Sequence, residues 1–176
     1  MSLDTTTLGG GCFWCLEAVF RRLTGVSSVS SGYAGGHTPS PTYKEVCTGE
    51  TGHAEVIQID YDPSIISFQD LLSVFWQAHD PTTLNRQGND TGTQYRSVIM
   101  PHNEKQNEIA IESISQWSQK FKDQIVTSIE PFTQFHTAED YHQEYYEHNK
   151  GAAYCTLLIR PKIDILKQKK VLPGSN

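Results

Sequence analysis

The residues of this chain best suited to chemistry are two cysteines in the segment Gly9-Gly10-Gly11-Cys12-Phe13-Trp14-Cys15. A β-capable run over residues 5–8 precedes them, and an amphipathic helical pattern over residues 16–23 follows. Cys12 is therefore predicted at a strand-to-helix junction, where the free N–H groups of a helix start stabilise a thiolate. Because the thiolate is the reactive form of cysteine, we expect Cys12 to be a nucleophile. Cys15 fits equally well as a small buried side chain.

The C-x-x-C spacing of Cys12 and Cys15 is typical of thiol redox work, although it also forms half of some zinc sites. The other two cysteines, Cys47 and Cys155, are isolated, so a four-cysteine zinc site would need unusual spacing. The late histidines lack the spacing of four that a helical zinc motif requires: His136, His142 and His148. Two functions therefore remain possible for these cysteines: a thioredoxin-like disulfide oxidoreductase, or a metal-binding or redox-sensing module.

Composition limits the possible function classes. A chain of 176 residues with 37% hydrophobic and 19% charged residues fits one soluble globular domain. The net charge of −6 argues against a broad nucleic-acid or membrane surface, which would need basic stripes. The sequence shows neither a membrane-spanning apolar run nor a signal peptide, so we expect a cytoplasmic protein with free thiols. We also expect a monomer.

Hydrophobic periodicity predicts an α+β fold in a single catalytic domain over residues 1–176, with a core at about 5–160 and a basic C-terminal tail. The predicted strands cover residues 5–8, 26–33, 55–61, 94–100, 125–129 and 154–159, and the predicted helices cover 16–23, 67–79, 103–121 and 139–149. This order favours a two-layer α/β sandwich with a ferredoxin-like split βαβ core and a mixed, mainly antiparallel sheet. The polar stretch 82–93 is long enough to suggest function.

Several segments in their order along the chain carry a resemblance to a known family. They are Gly11-Cys12-Phe13-Trp14 with Glu17, Gly32-Tyr33-Ala34-Gly35-Gly36, residues 41–47, Thr51-Gly52-His53-Ala54-Glu55, His79-Asp80-Pro81, Arg86-Gln87-Gly88-Asn89-Asp90, residues 92–97 and residues 138–143. Over about residues 7–160 the chain resembles peptide methionine sulfoxide reductase A. No single segment is decisive, but the ordered set is specific.

The resemblance implies reduction of the S epimer of methionine sulfoxide, free or in proteins, without a metal or organic cofactor. Cys12 would attack the sulfoxide sulfur, and Phe13 and Trp14 would hold the S-methyl group in an aromatic pocket. Glu55 would donate a proton to the sulfoxide oxygen, which requires a buried carboxyl with a raised pKa.

The resemblance also implies three supporting polar residues and a route for recycling. Tyr43 and Tyr95 would hydrogen-bond the sulfoxide oxygen, and Asp90 would support the site. Cys12 would become a sulfenic acid, condense with a second thiol to a disulfide, and be restored by thioredoxin.

The second thiol stays open between two cysteines. Cys155 lies in Ala153-Tyr154-Cys155-Thr156, which resembles the family's resolving segment and makes Cys155 the first choice. Cys15 replaces the glycine that usually follows Gly-Cys-Phe-Trp, so it could resolve Cys12 directly. The family's usual glycine-rich tail is also replaced here, by residues 157–162 and a basic end.

Overall fold

A computed structural model describes residues 2–174, in which six strands form one mixed sheet with the order β7-β6-β1-β3-β2-β8. The strands of this sheet are β1 (Asp4–Gly9), β2 (Val26–Ala34), β3 (Ala54–Tyr61), β6 (Val98–Met100), β7 (Ser128–Ile129) and β8 (Phe135–Thr137), and a separate short hairpin is formed by β4 (Arg86–Gln87) and β5 (Asp90–Thr91). Neighbouring strands run antiparallel except β6 and β7, which are parallel. The α+β fold with a mainly antiparallel sheet is confirmed.

Helices cover the sheet and bury apolar faces against it. They are α1 (Phe13–Phe20), α2 (Tyr43–Cys47), α3 (Phe68–Ala78), α4 (Glu104–Ser118), α5 (Tyr145–His148) and α6 (Arg160–Gln168), with a π-helical turn at Cys155–Ile159 that leads directly into α6. Helix α3 begins where predicted, because Ser67 accepts the N–H of Asp70 while the Asp70 carboxylate accepts the N–H of Ser67. Within residues 2–174, no helix has the length and apolar character to cross a membrane.

The pairing of strand β3 with its neighbours fixes the position of Glu55 in the sheet. Its residues pair with β1 on one side and β2 on the other, so Glu55 lies opposite Tyr33 and Ile57 lies opposite Leu8. A strand with neighbours on both edges has its backbone groups paired, and most of the β3 side chains are buried. The sheet therefore holds Glu55 in a rigid, dry position.

Two strands predicted from the sequence are shorter than expected. Of residues 94–100, only Val98–Met100 pair in the sheet, because Thr93–Tyr95 form a 3-10 turn. Of residues 125–129, only Ser128–Ile129 form a strand. The sequence therefore predicted the right regions, but in the first a local turn removed residues 94–97 from the ladder, and in the second residues 125–127 form no strand pairing.

The predicted helix at residues 139–149 is broken. A 3-10 turn at Asp140–His142 is followed by Glu144 in the left-handed conformation (φ 52°), and α5 begins only after it. The N–H of Glu144 donates to the buried carboxylate of Glu17 at 2.8 Å, which fixes this break against α1. A continuous helix would lose that contact.

The predicted strand at residues 154–159 is wrong, since this segment is the π-helical turn. The apolar run is amphipathic at a helical period, and Cys155 and Ile159 face the core. The basic segment after it is also no loose tail, because α6 buries Ile163 and Leu166. That the whole chain forms one catalytic domain stays a prediction.

We expect Leu166→Ala to lower the free energy of unfolding by about 2–4 kcal/mol, because it leaves a cavity where α6 meets the core. Ile165→Ala is the matched control and should cost less than about 1 kcal/mol. The two side chains are adjacent in α6 but are 2% and 50% exposed, respectively. Urea unfolding measures both, and equal losses would contradict the packing of α6.

Candidate active site

The reactive cysteine lies at the first turn of α1, as the sequence predicts. Cys12 is the N-cap residue, and the turn before it requires glycine because Gly11 has a φ of +82°. A Cβ atom at Gly11 would lie 2.7 Å from the Cγ atom of Gln87. The N–H of Gly11 donates to the carbonyl of Tyr95 at 3.1 Å, which joins this turn to the 3-10 turn.

The helix start does not give Cys12 the low pKa that the sequence predicts. Burial raises the pKa of the Cys12 thiol well above its ordinary value, and the nearby Glu55 carboxylate raises it further. A hydrogen bond from the Trp14 N–H and contact with the Tyr154 hydroxyl lower that pKa but do not outweigh burial. The resting site therefore holds a protonated thiol.

Glu55 is the buried carboxyl that the sequence predicts. It is 1% exposed, and its Oε1 atom accepts the N–H of Phe13 at 3.1 Å. Burial raises the pKa of Glu55 to about 8, and the charge of Asp90 adds to this effect, while the Phe13 N–H opposes it. Glu55 is therefore mostly protonated at neutral pH and can act as a proton donor there.

Two aromatic side chains follow Cys12 and form a wall beside it. Phe13 is fully buried, with its ring centroid 5.7 Å from that of Tyr33 and 5.1 Å from that of His142. Trp14 is partly exposed and stacks on Tyr145 at a centroid distance of 3.7 Å. Its Nε1–H donates to Nδ1 of His142 at 3.0 Å. The wall is apolar and held in a fixed orientation.

The hydroxyl groups of Tyr43 and Tyr95 both lie within electrostatic range of the Glu55 carboxyl. Tyr43 opens α2, and Tyr95 ends the 3-10 turn. Burial raises the pKa of each phenol, and the Glu55 carboxylate raises both further. Both hydroxyl groups therefore stay protonated at neutral pH. The structure brings Cys12, Glu55, Tyr43 and Tyr95 together from four separate elements.

Asp90 also lies at this site, and its partner is a residue to which the sequence assigned no role. The Tyr154 hydroxyl donates to Oδ2 of Asp90 at 3.1 Å and is also in hydrogen-bond contact with the Cys12 thiol. Tyr154 thus links the β4–β5 hairpin, the nucleophile and the C-terminal helix. The only sequence signal for it was its place before Cys155.

Two residues to which the sequence pattern assigned no role, Glu139 and His142, contact the side chains of the site. Glu139 accepts the Tyr33 hydroxyl at 2.8 Å and the N–H of Tyr43 at 3.0 Å, which positions α2. His142 is 1% exposed and lies against the rings of Phe13 and Tyr43. Both belong to the segment at residues 138–143 that carries part of the family resemblance, which was the available signal.

The two candidates for the second thiol lie in different surroundings. Cys15 lines a cleft of about 200 Å³ together with Cys12, Tyr154 and the hairpin loop at residues 87–90. Both cysteines belong to the same hydrophobic core, with Cys15 7% exposed and Cys155 fully buried, but Cys155 does not line this cleft. Consecutive helical residues point about 100° apart, so a helix that turns Tyr154 toward the cleft turns Cys155 toward the core.

Comparison with known proteins identifies the family. The family model described as peptide methionine sulfoxide reductase matches residues 4–173 of this chain. The chain belongs to the peptide methionine sulfoxide reductase family. It is 55% identical over 161 residues to the peptide methionine sulfoxide reductase MsrA of Saccharolobus solfataricus, covering 92% of this chain and 91% of that protein. Membership in this family makes the protein an oxidoreductase that reduces methionine sulfoxide, and it decides against the two alternatives from the C-x-x-C spacing.

Solved structures of the peptide methionine sulfoxide reductase family share the fold. Mxr1 of Saccharomyces cerevisiae in reduced form superposes with a TM-score of 0.82 at 39% identity, covering 87% of this chain and 89% of that chain. Mxr1 in complex with Trx2 superposes with a TM-score of 0.59 at 29% identity, covering 81% and 84%. Within residues 2–174 of this chain, no group of three or more His, Cys, Asp or Glu side chains is arranged to hold a metal ion.

The raised pKa of Glu55 predicts how stability depends on pH. A carboxyl group with a higher pKa in the folded than in the unfolded protein stabilises the fold below its unfolded pKa, and this stabilisation is lost as pH rises toward the folded value of about 8. Relative to wild type, Glu55→Gln should therefore gain roughly 3–4 kcal/mol in the free energy of unfolding between pH 5 and 8. Urea unfolding across this range measures the gain.

Glu130→Gln is the matched control for this measurement. Burial opposes ionisation of Glu130, but the hydrogen bonds and charge of Arg96 outweigh it and lower the pKa. Its stabilising effect is therefore complete above the unfolded pKa, and the difference between Glu130→Gln and wild type should stay flat from pH 5 to 8. A flat difference for Glu55→Gln as well would contradict the buried, protonated carboxyl.

Proposed function

We propose that the protein reduces the S epimer of methionine sulfoxide, free or within oxidised proteins, by attack of Cys12 on sulfur. The observation that carries this proposal is the pairing of the Cys12 thiol with a Glu55 carboxyl that is protonated at neutral pH. A sulfoxide is a poor electrophile until its oxygen receives a proton or a strong hydrogen bond. Glu55 supplies that proton, and Phe13 and Trp14 bind the S-methyl group against an apolar wall.

The first step forms a bond between Cys12 Sγ and the sulfur atom of the substrate and then transfers the oxygen to the enzyme. As Cys12 loses its proton and attacks sulfur, negative charge develops on the sulfoxide oxygen. Glu55 donates its proton to that oxygen, while Tyr43 and Tyr95 donate hydrogen bonds to it. The bond between Cys12 Sγ and the substrate sulfur and the substrate S–O bond then break as the oxygen bonds to Sγ, which releases methionine and leaves Cys12 as a sulfenic acid. The proton lost by the thiol restores Glu55 through solvent.

The protonated resting thiol fits this order of events. Cys12 has a raised pKa because its thiol is buried near the Glu55 carboxyl. A bound sulfoxide that accepts a hydrogen bond from Glu55 carries more positive charge on sulfur, which favours the thiolate beside it. The nucleophile is then formed when the substrate is present, so the resting enzyme is protected from oxidation and alkylation.

We propose that Cys15 resolves the sulfenic acid, in preference to Cys155. Two observations support this: Cys15 shares the cleft with Cys12, and its N–H donates to the carbonyl of Cys12 at 3.2 Å across one helical turn. Residues three apart in a helix have Cα atoms within the range that a disulfide spans. The Cys15 thiol would displace the hydroxyl group of the sulfenic acid as water and form the Cys12–Cys15 disulfide.

Thioredoxin is the proposed reductant of this disulfide. A cleft-lining disulfide at a helix start is open to attack by an external thiolate, whereas a bond to the fully buried Cys155 would require the C-terminal helix to move. The yeast Mxr1 structure in complex with Trx2 supports the same type of partner. A reducing compartment such as the cytoplasm, and a monomer, remain part of this proposal.

A single-turnover assay tests the reduction step separately from recycling. Mixed without reductant, wild type and Cys15→Ser should each release up to one methionine per enzyme from the S epimer and none from the R epimer. Cys12→Ser should release none, and the exposed Cys47→Ser is its control. Glu55→Gln should slow the step about 10²–10⁴-fold, and the exposed Glu50→Gln should not. Full activity of Cys12→Ser would overturn the proposal.

Mass mapping of the disulfide after one turnover tests the resolving cysteine. Wild type should yield one peptide that contains both Cys12 and Cys15 and is lighter by two hydrogen atoms than its reduced form, and Cys15→Ser should instead retain a sulfenic acid that a cyclic dione traps. Cys155→Ser should behave as wild type. A Cys12–Cys155 link in wild type would assign resolution to the C-terminal helix instead.

A further inference from the structure

The C-terminal helix presents one stripe of side chains to the reactive cleft. Tyr154, Leu158 and Lys162 are spaced four residues apart through the π-helical turn and α6, and all three line the cleft that contains Cys12. The opposite side of the same helix is buried, with Ile159 and Ile163 in the core. This face of the helix therefore forms one wall of the cleft beside Cys12.

The facing wall is the loop of the β4–β5 hairpin. Gly88 has open space around its Cα atom, and within residues 2–174 the exposed side-chain amide of Asn89 makes no hydrogen bond. A peptide backbone that crosses this loop can therefore reach an amide group without displacing a protein partner. Asn89 and Leu158 provide one polar and one apolar side of a channel that leads away from Cys12.

The cleft is lined by one acidic and one basic side chain, Asp90 and Lys162. Asp90 is bonded to Tyr154 at the thiol end. Lys162 lies two helical turns further along and forms no ion pair with the described residues. Its charge reaches the cleft floor, because after burial it is the charge of Lys162 that lowers the pKa of His79, whose ring packs beneath Gly10. Lys162 thus places a positive charge on the wall of the cleft.

The length of the helix sets how far this charge lies from the reacting sulfur. Lys162 is eight positions after Tyr154, which corresponds to at most about 12 Å along the helix, and a long lysine side chain can shorten the remaining distance. An extended peptide advances about 3.4 Å per residue. A carboxylate at Lys162 would therefore belong to a residue one to three positions from the methionine sulfoxide, and not to that residue itself.

From this arrangement we infer a substrate subsite: the cleft binds the peptide segment that flanks the methionine sulfoxide, and Lys162 selects an aspartate or glutamate side chain there. The inference rests on the proposed function, since it assigns sequence preference to the same reaction. The preferred substrates are oxidised methionines in acidic segments. Because an exposed ion pair contributes modestly, the preference should be about two- to five-fold in kcat/KM.

Matched peptides test the subsite. Blocked heptapeptides with a central S-sulfoxide and Glu, Gln or Lys at a position one, two or three residues away on either side are compared by kcat/KM. Wild type should favour Glu over Gln by about two- to five-fold at one or more of these positions, and 0.5 M salt should reduce the ratio. A ratio of one at every position would overturn the inference.

Variants of Lys162 assign the preference to this residue. In Lys162→Gln the Glu-to-Gln ratio should fall to about one, and in Lys162→Glu the Lys peptide should become the better substrate. Lys105→Glu, an exposed lysine on α4, makes the same change in net charge and should keep the wild-type ratio. An unchanged ratio in both Lys162 variants would overturn the inference.

The remaining arm separates the two sources of a carboxylate. Peptides with a free C-terminal carboxylate and no acidic side chain are compared with their amidated forms. A Lys162-dependent preference only for the free terminus would replace the flanking side chain with the chain end and overturn the assignment. If wild type reduces none of these peptides, the proposed function fails, which is a different outcome from equal rates on all of them.

Discussion

The hydrogen bond between the N–H of Phe13 and the carboxyl of Glu55 joins the two parts of this protein that must meet. Glu55 lies on β3, which is paired on both edges, and Phe13 opens α1, which carries the nucleophile. A carboxyl group buried at this depth is costly unless it is protonated or well bonded, and here a single backbone donor leaves it mostly protonated. This contact therefore holds the acid beside the nucleophile, while burial keeps the acid protonated.

Burial sets the protonation state of every group around that contact. The pKa of the Cys12 thiol and of the Tyr43 and Tyr95 phenols is raised, in each case with burial as the largest cause. The Cys12 thiol, the Glu55 carboxyl and the two phenols are therefore mostly protonated and uncharged at neutral pH. Such a site suits a reaction in which an oxygen atom gains negative charge, because donors already point toward it and no water must be reorganised.

The C-terminal helix adds specificity to a site whose chemistry lies elsewhere. Tyr154 reaches the nucleophile, while the residues that follow it along the same face extend the cleft wall. The buried side of the helix ties this wall to the core through Ile163 and Leu166. Substrate preference and fold stability are therefore carried by opposite faces of one element.

Local patterns in the sequence predict the α+β class, the position of Cys12 at a strand-to-helix junction, and Glu55 at the start of a buried strand. These follow from local patterns, since alternation, helix caps and glycine turns act over a few residues. Other features come from packing between distant segments: the raised pKa of Cys12, the contact of Tyr154 with Asp90, and the break in the helix at Glu144. Packing also places Cys15, and not Cys155, on the wall of the cleft. Each of these depends on which distant segments exclude water from a side chain, and that is a property of the packed core and not of neighbouring residues.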